Sequence, residues 1–100
     1  MSLDEDIEKV FKKVATSLKL GYKKTTAAGV GKVYNFFKDD KFLVRFTTFI
    51  DTREKITILV NYGSMTQPPL SWGSYKRDEF DKATKTVMVK TTDLINSKKY

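Results

Sequence analysis

The sequence contains no cysteine and no histidine. Without cysteine the chain can form neither a disulfide nor a thiolate nucleophile, and without both residues it cannot build a cysteine–histidine zinc site. A serine hydrolase with a histidine base and other imidazole acid–base chemistry are excluded as well. An enzyme of this composition must therefore work with carboxylates, lysines, tyrosines or hydroxyls.

The chain also lacks a long apolar run and the N-terminal pattern of a signal peptide. No stretch approaches the ~20 apolar residues of a membrane-spanning helix. The first ten residues, MSLDEDIEKV, are acidic where a signal peptide is basic and then apolar. We therefore expect a soluble, cytoplasmic protein without a membrane partner.

The composition is that of one folded domain with a basic surface. The chain has 100 residues, of which 40% are hydrophobic and 13% aromatic, enough for a single core. Its formal net charge is +7, from 19 lysines and arginines against 12 acids. This excess favours anionic partners, either nucleic acid or an acidic protein surface.

The spacing of apolar residues predicts a helix over residues 2–20. Its apolar stripe has spacings of three and four and comprises Leu3, Ile7, Val10, Phe11, Val14 and Leu18. Ser2 and Glu5 fit a capping box, and Gly21 is a natural stop. Such a stripe is typical of a helix that covers a sheet.

Alternating apolar residues predict three strands, over residues 32–38, 42–50 and 55–62. With a tight turn at Asp39-Asp40, Phe37 lies opposite Phe42, and strict alternation then places Val33 opposite Phe46 on the core face. Asn35 would join that apolar face and is discordant there.

The second face of this predicted sheet is too apolar to be left in water. It collects Tyr34, Phe36, Leu43, Arg45, Thr47, Phe49, Thr57, Leu59 and Asn61. Either the two helices divide between both faces of the sheet, or a partner covers this one. For a domain with two helices we expect a protein partner or a second copy of the chain to cover it. The predicted interface residues are Tyr34, Phe36, Leu43, Phe49, Leu59 and Trp72.

The remaining segments are predicted as loops and a second helix. Residues 21–31 and 63–74 are rich in glycine or proline and read as loops, and Trp72 in the second loop is expected to plug a core edge or to reach for a ligand. Residues 75–97 keep helical spacing, although the β-branched segment 84–92 would also accept a strand. The fold class is thus α+β, in the order αβββα.

Motifs for catalysis and for phosphate binding are incomplete. Gly31-Lys32 does not belong to a phosphate-binding loop, because Val33 stands in place of the required hydroxyl residue. Asp39-Asp40 lies in a turn, where aspartate is favoured for backbone reasons. Glu54 and Lys55 are adjacent, so on a strand they would face opposite sides and could not converge on one metal. We therefore predict no enzyme activity, no metal and no cofactor.

The distribution of charge favours nucleic acid as the partner. Residues 9–38 carry eight lysines and no acid. We predict a binding surface for RNA in preference to DNA, made of Lys12, Lys13, Lys19, Tyr22, Lys23, Lys24 and Lys32. Lysines make point-charge contacts to phosphates and neighbouring aromatic rings can stack on bases, so little base readout is expected. The alternatives are a protein-interaction module or homodimer that uses the second sheet face, and an enzyme without a familiar motif.

Overall fold

The computed structural model describes most of the chain. Residue 2 of the predicted first helix and residues 63–68 of the predicted second loop lie outside the described residues. The described ranges are 3–26, 31–51, 53–62 and 69–97.

Across these ranges the chain forms a helix, five strands and a second helix. Their bounds are α1 Leu3–Ser17, β1 Gly21–Thr26, β2 Lys32–Lys38, β3 Lys41–Ile50, β4 Ile56–Tyr62, β5 Leu70–Tyr75 and α2 Phe80–Ser97. The strands make one antiparallel sheet in which each pairs with the next along the chain. The fold is α+β, and the three predicted strands correspond to β2, β3 and β4.

Helix α1 ends three residues earlier than predicted, before it reaches Gly21. Lys19 adopts a left-handed conformation with φ 57°. The Leu20 N–H donates to the Ala15 carbonyl at 2.8 Å, and the Lys19 N–H donates to the Thr16 carbonyl at 3.2 Å. These two bonds form a Schellman motif, which satisfies carbonyls that the helix end would otherwise leave free.

Both helices cover the same face of the sheet. Phe11 of α1 lies at the centre of an aromatic cluster, with ring centroids 4.4 Å from Tyr34, 5.0 Å from Phe46 and 6.4 Å from Phe36. Helix α2 packs beside α1 and over β5. In β5, the ring centroid of Trp72 lies 5.5 Å from that of Phe46. One continuous core therefore fills the space between the two helices and this face.

A β-bulge decides which side chains of β2 face that core. The turn is as predicted: Asp39 and Asp40 both have positive φ, 51° and 65°, as a two-residue type I′ hairpin requires. Phe37 pairs with Phe42 as expected, but Phe36 then pairs with Val44, so Leu43 is an additional residue on β3.

The bulge reverses the predicted faces of β2. Tyr34, not Val33, lies opposite Phe46. Tyr34, Phe36 and Leu43 are fully buried at 0% exposure, so their placement on an uncovered face was wrong. Trp72, 9% exposed, belongs to the same core and is not available to a partner either.

Two edge strands were predicted as loops. Strand β1 pairs with β2 over its whole length, and all its residues except Tyr22 are exposed. Strand β5 pairs with β4 through an irregular register between Thr57 and Leu59. The exposed positions of β1 are polar or glycine, and β5 has serines and a glycine around Trp72 with Leu70 exposed at its start, so neither shows the apolar alternation that identifies a half-buried strand.

The second helix is confirmed, including segment 84–92, which is helical. A 3-10 turn, Arg77–Glu79, precedes α2, and the Glu79 carboxylate accepts a hydrogen bond from the Lys76 N–H at 3.0 Å. Ser74, which directly precedes the predicted helix, lies in β5. The buried residues of α2 are Ala83, Val87, Thr91 and Leu94, and their spacing of three and four lines one helix face.

Candidate functional site

The face of the sheet opposite the helices carries a row of polar side chains, here called the polar row: Lys23, Asn35, Arg45 and Asn61. Each is the direct cross-strand partner of the next, on β1, β2, β3 and β4 respectively. Four neighbouring strands at a spacing of ~4.8 Å give the row a span of roughly 14 Å. Since both helices pack on the other face, no described helix covers the row.

Arg45 is held in place by two neighbours. Its Nε donates a hydrogen bond to Asn35 Oδ1 at 3.0 Å. Its guanidinium carbon lies 5.8 Å from the centroid of the Phe42 ring, within the range of a cation–π contact. Asn35 is only 8% exposed, so the acceptor has little freedom to move. The terminal amino groups of Arg45, by contrast, belong to an exposed side chain.

Less polar side chains flank the polar row on both sides. Towards the β2–β3 turn, Phe37 and Phe42 pack edge to face with centroids 6.3 Å apart. Towards the other end of the sheet, a row of cross-strand partners comprises Thr25, Val33, Thr47 and Leu59. Beyond it lie Phe49 and its partner Thr57, whose hydroxyl is 2.8 Å from that of Ser74.

Part of this face forms a shallow concavity of about 470 Å³. Asn35, Arg45 and Asn61 contribute its polar lining, and its apolar lining includes Val33, Phe49, Leu59 and Pro69. Small-molecule sites commonly combine an apolar lining with a few fixed polar groups in this way.

All the charged residues of the five strands are basic. None of the five strands contains aspartate or glutamate, whereas together they carry six cations: Lys23, Lys24, Lys32, Lys38, Lys41 and Arg45. The 12 acids of the chain belong to other segments. An anion that approaches the polar row therefore meets no opposing carboxylate on the strands beneath it.

The structure does not gather the predicted basic residues into one surface. Lys23 and Lys24 are neighbours on a strand, so they point to opposite faces. Lys24 Nζ lies 2.9 Å from Glu8 of α1, on the helix side, and Lys12 Nζ lies 3.6 Å from the same carboxylate. Of the predicted set, only Lys23 belongs to the polar row.

Three residues of the predicted nucleic-acid surface lie around the Glu8 carboxylate. Its hydrogen bond with Lys24 holds the pKa of the Glu8 carboxyl below its usual range. Burial, together with the nearby Glu8 charge, raises the pKa of the half-buried Tyr22 phenol. Tyr22, Lys24 and Lys12 thus surround one carboxylate at the helix side, which offsets part of the lysine charge.

The other predicted basic residues are dispersed. Lys13 lines a groove of about 310 Å³ between α1 and α2, in which Asp6 and Arg77 also lie. Lys32 Nζ is 3.5 Å from the Thr26 hydroxyl. Lys19 is exposed at the end of α1.

Of the predicted partner interface, Phe49 and Leu59 lie on the open face, both half-buried. Arg45 and Asn61 were placed on this face by the sequence but were not chosen as site residues. Asn35 was not predicted as a site residue. A polar Asn35 on an apolar core face was the one sign in the sequence that the faces of β2 had been assigned the wrong way round.

Asp51 has a structural role in the turn between β3 and β4. Asp51 Oδ1 accepts hydrogen bonds from the Lys55 N–H at 2.9 Å and the Arg53 N–H at 2.8 Å, and these bonds lower the pKa of its carboxyl. Among the described residues, no group of three or more acidic, histidine or cysteine side chains is arranged to hold a metal ion. Neither described helix is both long and apolar enough to cross a membrane.

A scan against protein-family models found no match, and searches of curated proteins and of solved structures found no significant match. The function of the chain is therefore inferred from its own residues.

Proposed function

We propose that the chain is a non-catalytic module that binds single-stranded nucleic acid, RNA in preference to DNA, on the open face of its sheet. The observation that carries this proposal is the polar row with its two cations, on a sheet whose strands contain no carboxylate. Phosphates supply the negative charge that such a surface attracts.

The side chains that flank the polar row suit unpaired bases. Phe42 and Phe49 offer aromatic surface, and stacking on such rings accepts any base because every base has a π-face. A duplex buries these base faces, so the surface favours single strands. Asn35, Asn61 and Thr47 can exchange hydrogen bonds with a 2′-hydroxyl, which is the group that distinguishes RNA from DNA.

Fluorescence anisotropy with labelled 12-nucleotide RNA, its DNA equivalent and an RNA duplex tests the proposal. At low salt the single-stranded RNA should bind most tightly. The log–log salt slope should be about −0.7 for each phosphate that the chain neutralises. Absence of binding by every oligonucleotide at low salt would refute the proposal.

A matched pair of double variants locates the site. Lys23→Ala with Arg45→Ala removes both cations of the polar row, whereas Lys12→Ala with Lys13→Ala removes two exposed cations from α1. The first should weaken binding and flatten the salt slope, and the second should change it little. The reverse result would place the site on the helix lysines.

The apolar part of the same face supports a second candidate, self-association through the open face. Val33, Phe49 and Leu59 are half-buried there and would be covered in a dimer. Light scattering across a concentration series tests this, with Leu59→Lys expected to leave a folded monomer. A wild-type chain that stays monomeric at every concentration would remove this candidate.

A further inference from the structure

We propose that Arg45 recognises a guanine base, which makes it the specificity-determining residue of the polar row. This inference rests on the proposed function and deepens it. It departs from the expectation of little base readout, because that expectation depended on a set of lysines of which only Lys23 belongs to the polar row.

The geometry of Arg45 leaves a defined part of its guanidinium available. Nε is already used by Asn35 Oδ1, at 3.0 Å. Of the five N–H donors of an arginine, the four on the two terminal nitrogens remain. Asn35 and the Phe42 ring hold the group from two sides, so its planar fork is oriented before a ligand arrives.

A fork of two parallel donors matches guanine best among the four bases. Guanine presents two neighbouring acceptors, O6 and N7, to which arginine binds bidentately. On the same edge, adenine places a donor beside its N7 and cytosine presents a donor, so each opposes one arm of the fork. The Watson–Crick edge of an unpaired cytosine carries two neighbouring acceptors, O2 and N3, so cytosine is the competing base that the test must include. Uracil offers a lone carbonyl on the corresponding edge and can satisfy only one arm.

The position of Arg45 favours a base over a phosphate at this point. Arg45 lies inside the row, between Asn35 and Asn61, and it lines a concavity of about 470 Å³ that also has apolar walls. The apolar side chains of Val33 and Leu59 provide a surface on which a flat base can pack. A phosphate placed against these side chains would lose water and gain no hydrogen bond from them. Lys23, on the edge strand, is better placed for the phosphate because it stands at the solvated end of the row.

The test uses labelled decauridine RNA and three versions in which one central uridine is replaced by guanosine, adenosine or cytidine. The wild-type chain should bind the guanosine oligomer roughly five- to 150-fold more tightly than decauridine or the adenosine oligomer, the range that one bidentate contact provides. Tighter binding of the cytidine oligomer than of the guanosine oligomer would overturn guanine as the preferred base. A fourth oligomer carries 7-deazaguanosine, which lacks the N7 acceptor, and should lose most of this preference.

Arg45→Lys is the matched variant, because it keeps the charge and removes the fork. It should lose most of the preference for the guanosine oligomer, because a flexible ammonium does not present two fixed parallel donors, and circular dichroism should show an unchanged fold. The 7-deazaguanosine comparison uses only the wild-type chain, so it stands even if the variant fails to fold.

The outcomes separate this inference from the proposed function. Equal binding of all oligomers by the wild-type chain, or an undiminished preference for 7-deazaguanosine, would overturn guanine recognition and leave nucleic-acid binding standing. A guanine preference that survives in Arg45→Lys would overturn the role of Arg45. No binding of any oligomer at low salt would overturn both.

Discussion

Tyr34 stacks on Phe11 with ring centroids 4.4 Å apart and ring planes inclined by 15°. This contact joins β2 to α1 and fixes the face of β2 that is turned towards the helices. Asn35, the next residue, is consequently turned towards the open face, where its side chain meets Arg45.

Truncation at Tyr34 should therefore destabilise the fold far more than truncation on the open face. Tyr34→Ala removes a fully buried ring and should lower the free energy of unfolding by roughly 3–5 kcal/mol, the usual range for a large aromatic residue in a core. Phe49→Ala, at a half-buried position, should lower it by about 1 kcal/mol. Urea unfolding measures both, and similar values would contradict the assignment of faces.

Gly31 should tolerate no side chain. Its φ is +80°, and a Cβ there would collide with the Thr48 carbonyl oxygen. Gly31→Ala should lower the free energy of unfolding by more than about 2 kcal/mol, since it combines backbone strain with a steric clash. Gly21→Ala is the control, because φ at Gly21 is not positive and a Cβ there would meet Phe37 at contact distances, 3.3 Å from its Cβ and 3.5 Å from its carbonyl oxygen. Equal thermal stability of the two variants would show that the backbone near Gly31 is not as described.

Thr91 should be replaceable by valine with a gain in stability. Thr91 is fully buried, and its hydroxyl has no hydrogen-bond partner among the described residues. Thr91→Val removes an unsatisfied polar atom at nearly constant volume and should raise the free energy of unfolding by about 1 kcal/mol. Thr92→Val is the matched control, because the Thr92 hydroxyl donates to the Met88 carbonyl at 2.8 Å. Thermal unfolding should show a gain at position 91 and none at position 92.

The ion pairs of Glu8 should make stability depend on pH on the acidic side. Because Lys24 lowers the pKa of the folded-state carboxyl, the stabilisation is fully present above its unfolded value of 4.5 and is lost as the pH falls through the lower folded value. Glu8→Gln should thus be less stable than the wild type at pH 7, by up to about 1 kcal/mol. The difference should disappear well below pH 4.5.

A double-mutant cycle identifies the partner responsible. Coupling between Glu8→Gln and Lys24→Ala should exceed coupling between Glu8→Gln and Lys12→Ala, because Lys12 is 3.6 Å away with a side chain 58% exposed. Coupling that is equal for the two lysines, or absent at pH 7, would contradict the role assigned to Lys24.

The central strands could be predicted from the sequence because their residues alternate and are β-branched or aromatic. Strand β2 was predicted with its bounds, Lys32–Lys38, yet with its faces reversed. Its aromatic and aliphatic residues occupy both alternating sets, so periodicity could not choose between them, and the bulge at Leu43 has no local sequence signature. Asn35 alone distinguished the two faces.

The edge strands and the site were harder to predict for related reasons. Strand β1 is stabilised by pairing with β2 and carries two lysines, so it has no apolar face to detect. The basic residues were grouped by their proximity in sequence, but Lys23 and Lys24 lie on opposite sides of one strand. The polar row joins four strands, and its members become neighbours only through the register of the sheet.

The two lysines of β1 also affect how chains meet each other. An outer strand has unpaired backbone groups that invite a second chain to extend the ladder. Two β1 strands aligned edge to edge would bring their Lys23 side chains together on the open face, whereas Lys24 on the helix side is paired with Glu8. The charge of Lys23 therefore opposes the addition of a second chain to the edge strand β1. The sheet can leave its second face uncovered without also offering β1 as a template for fibril growth.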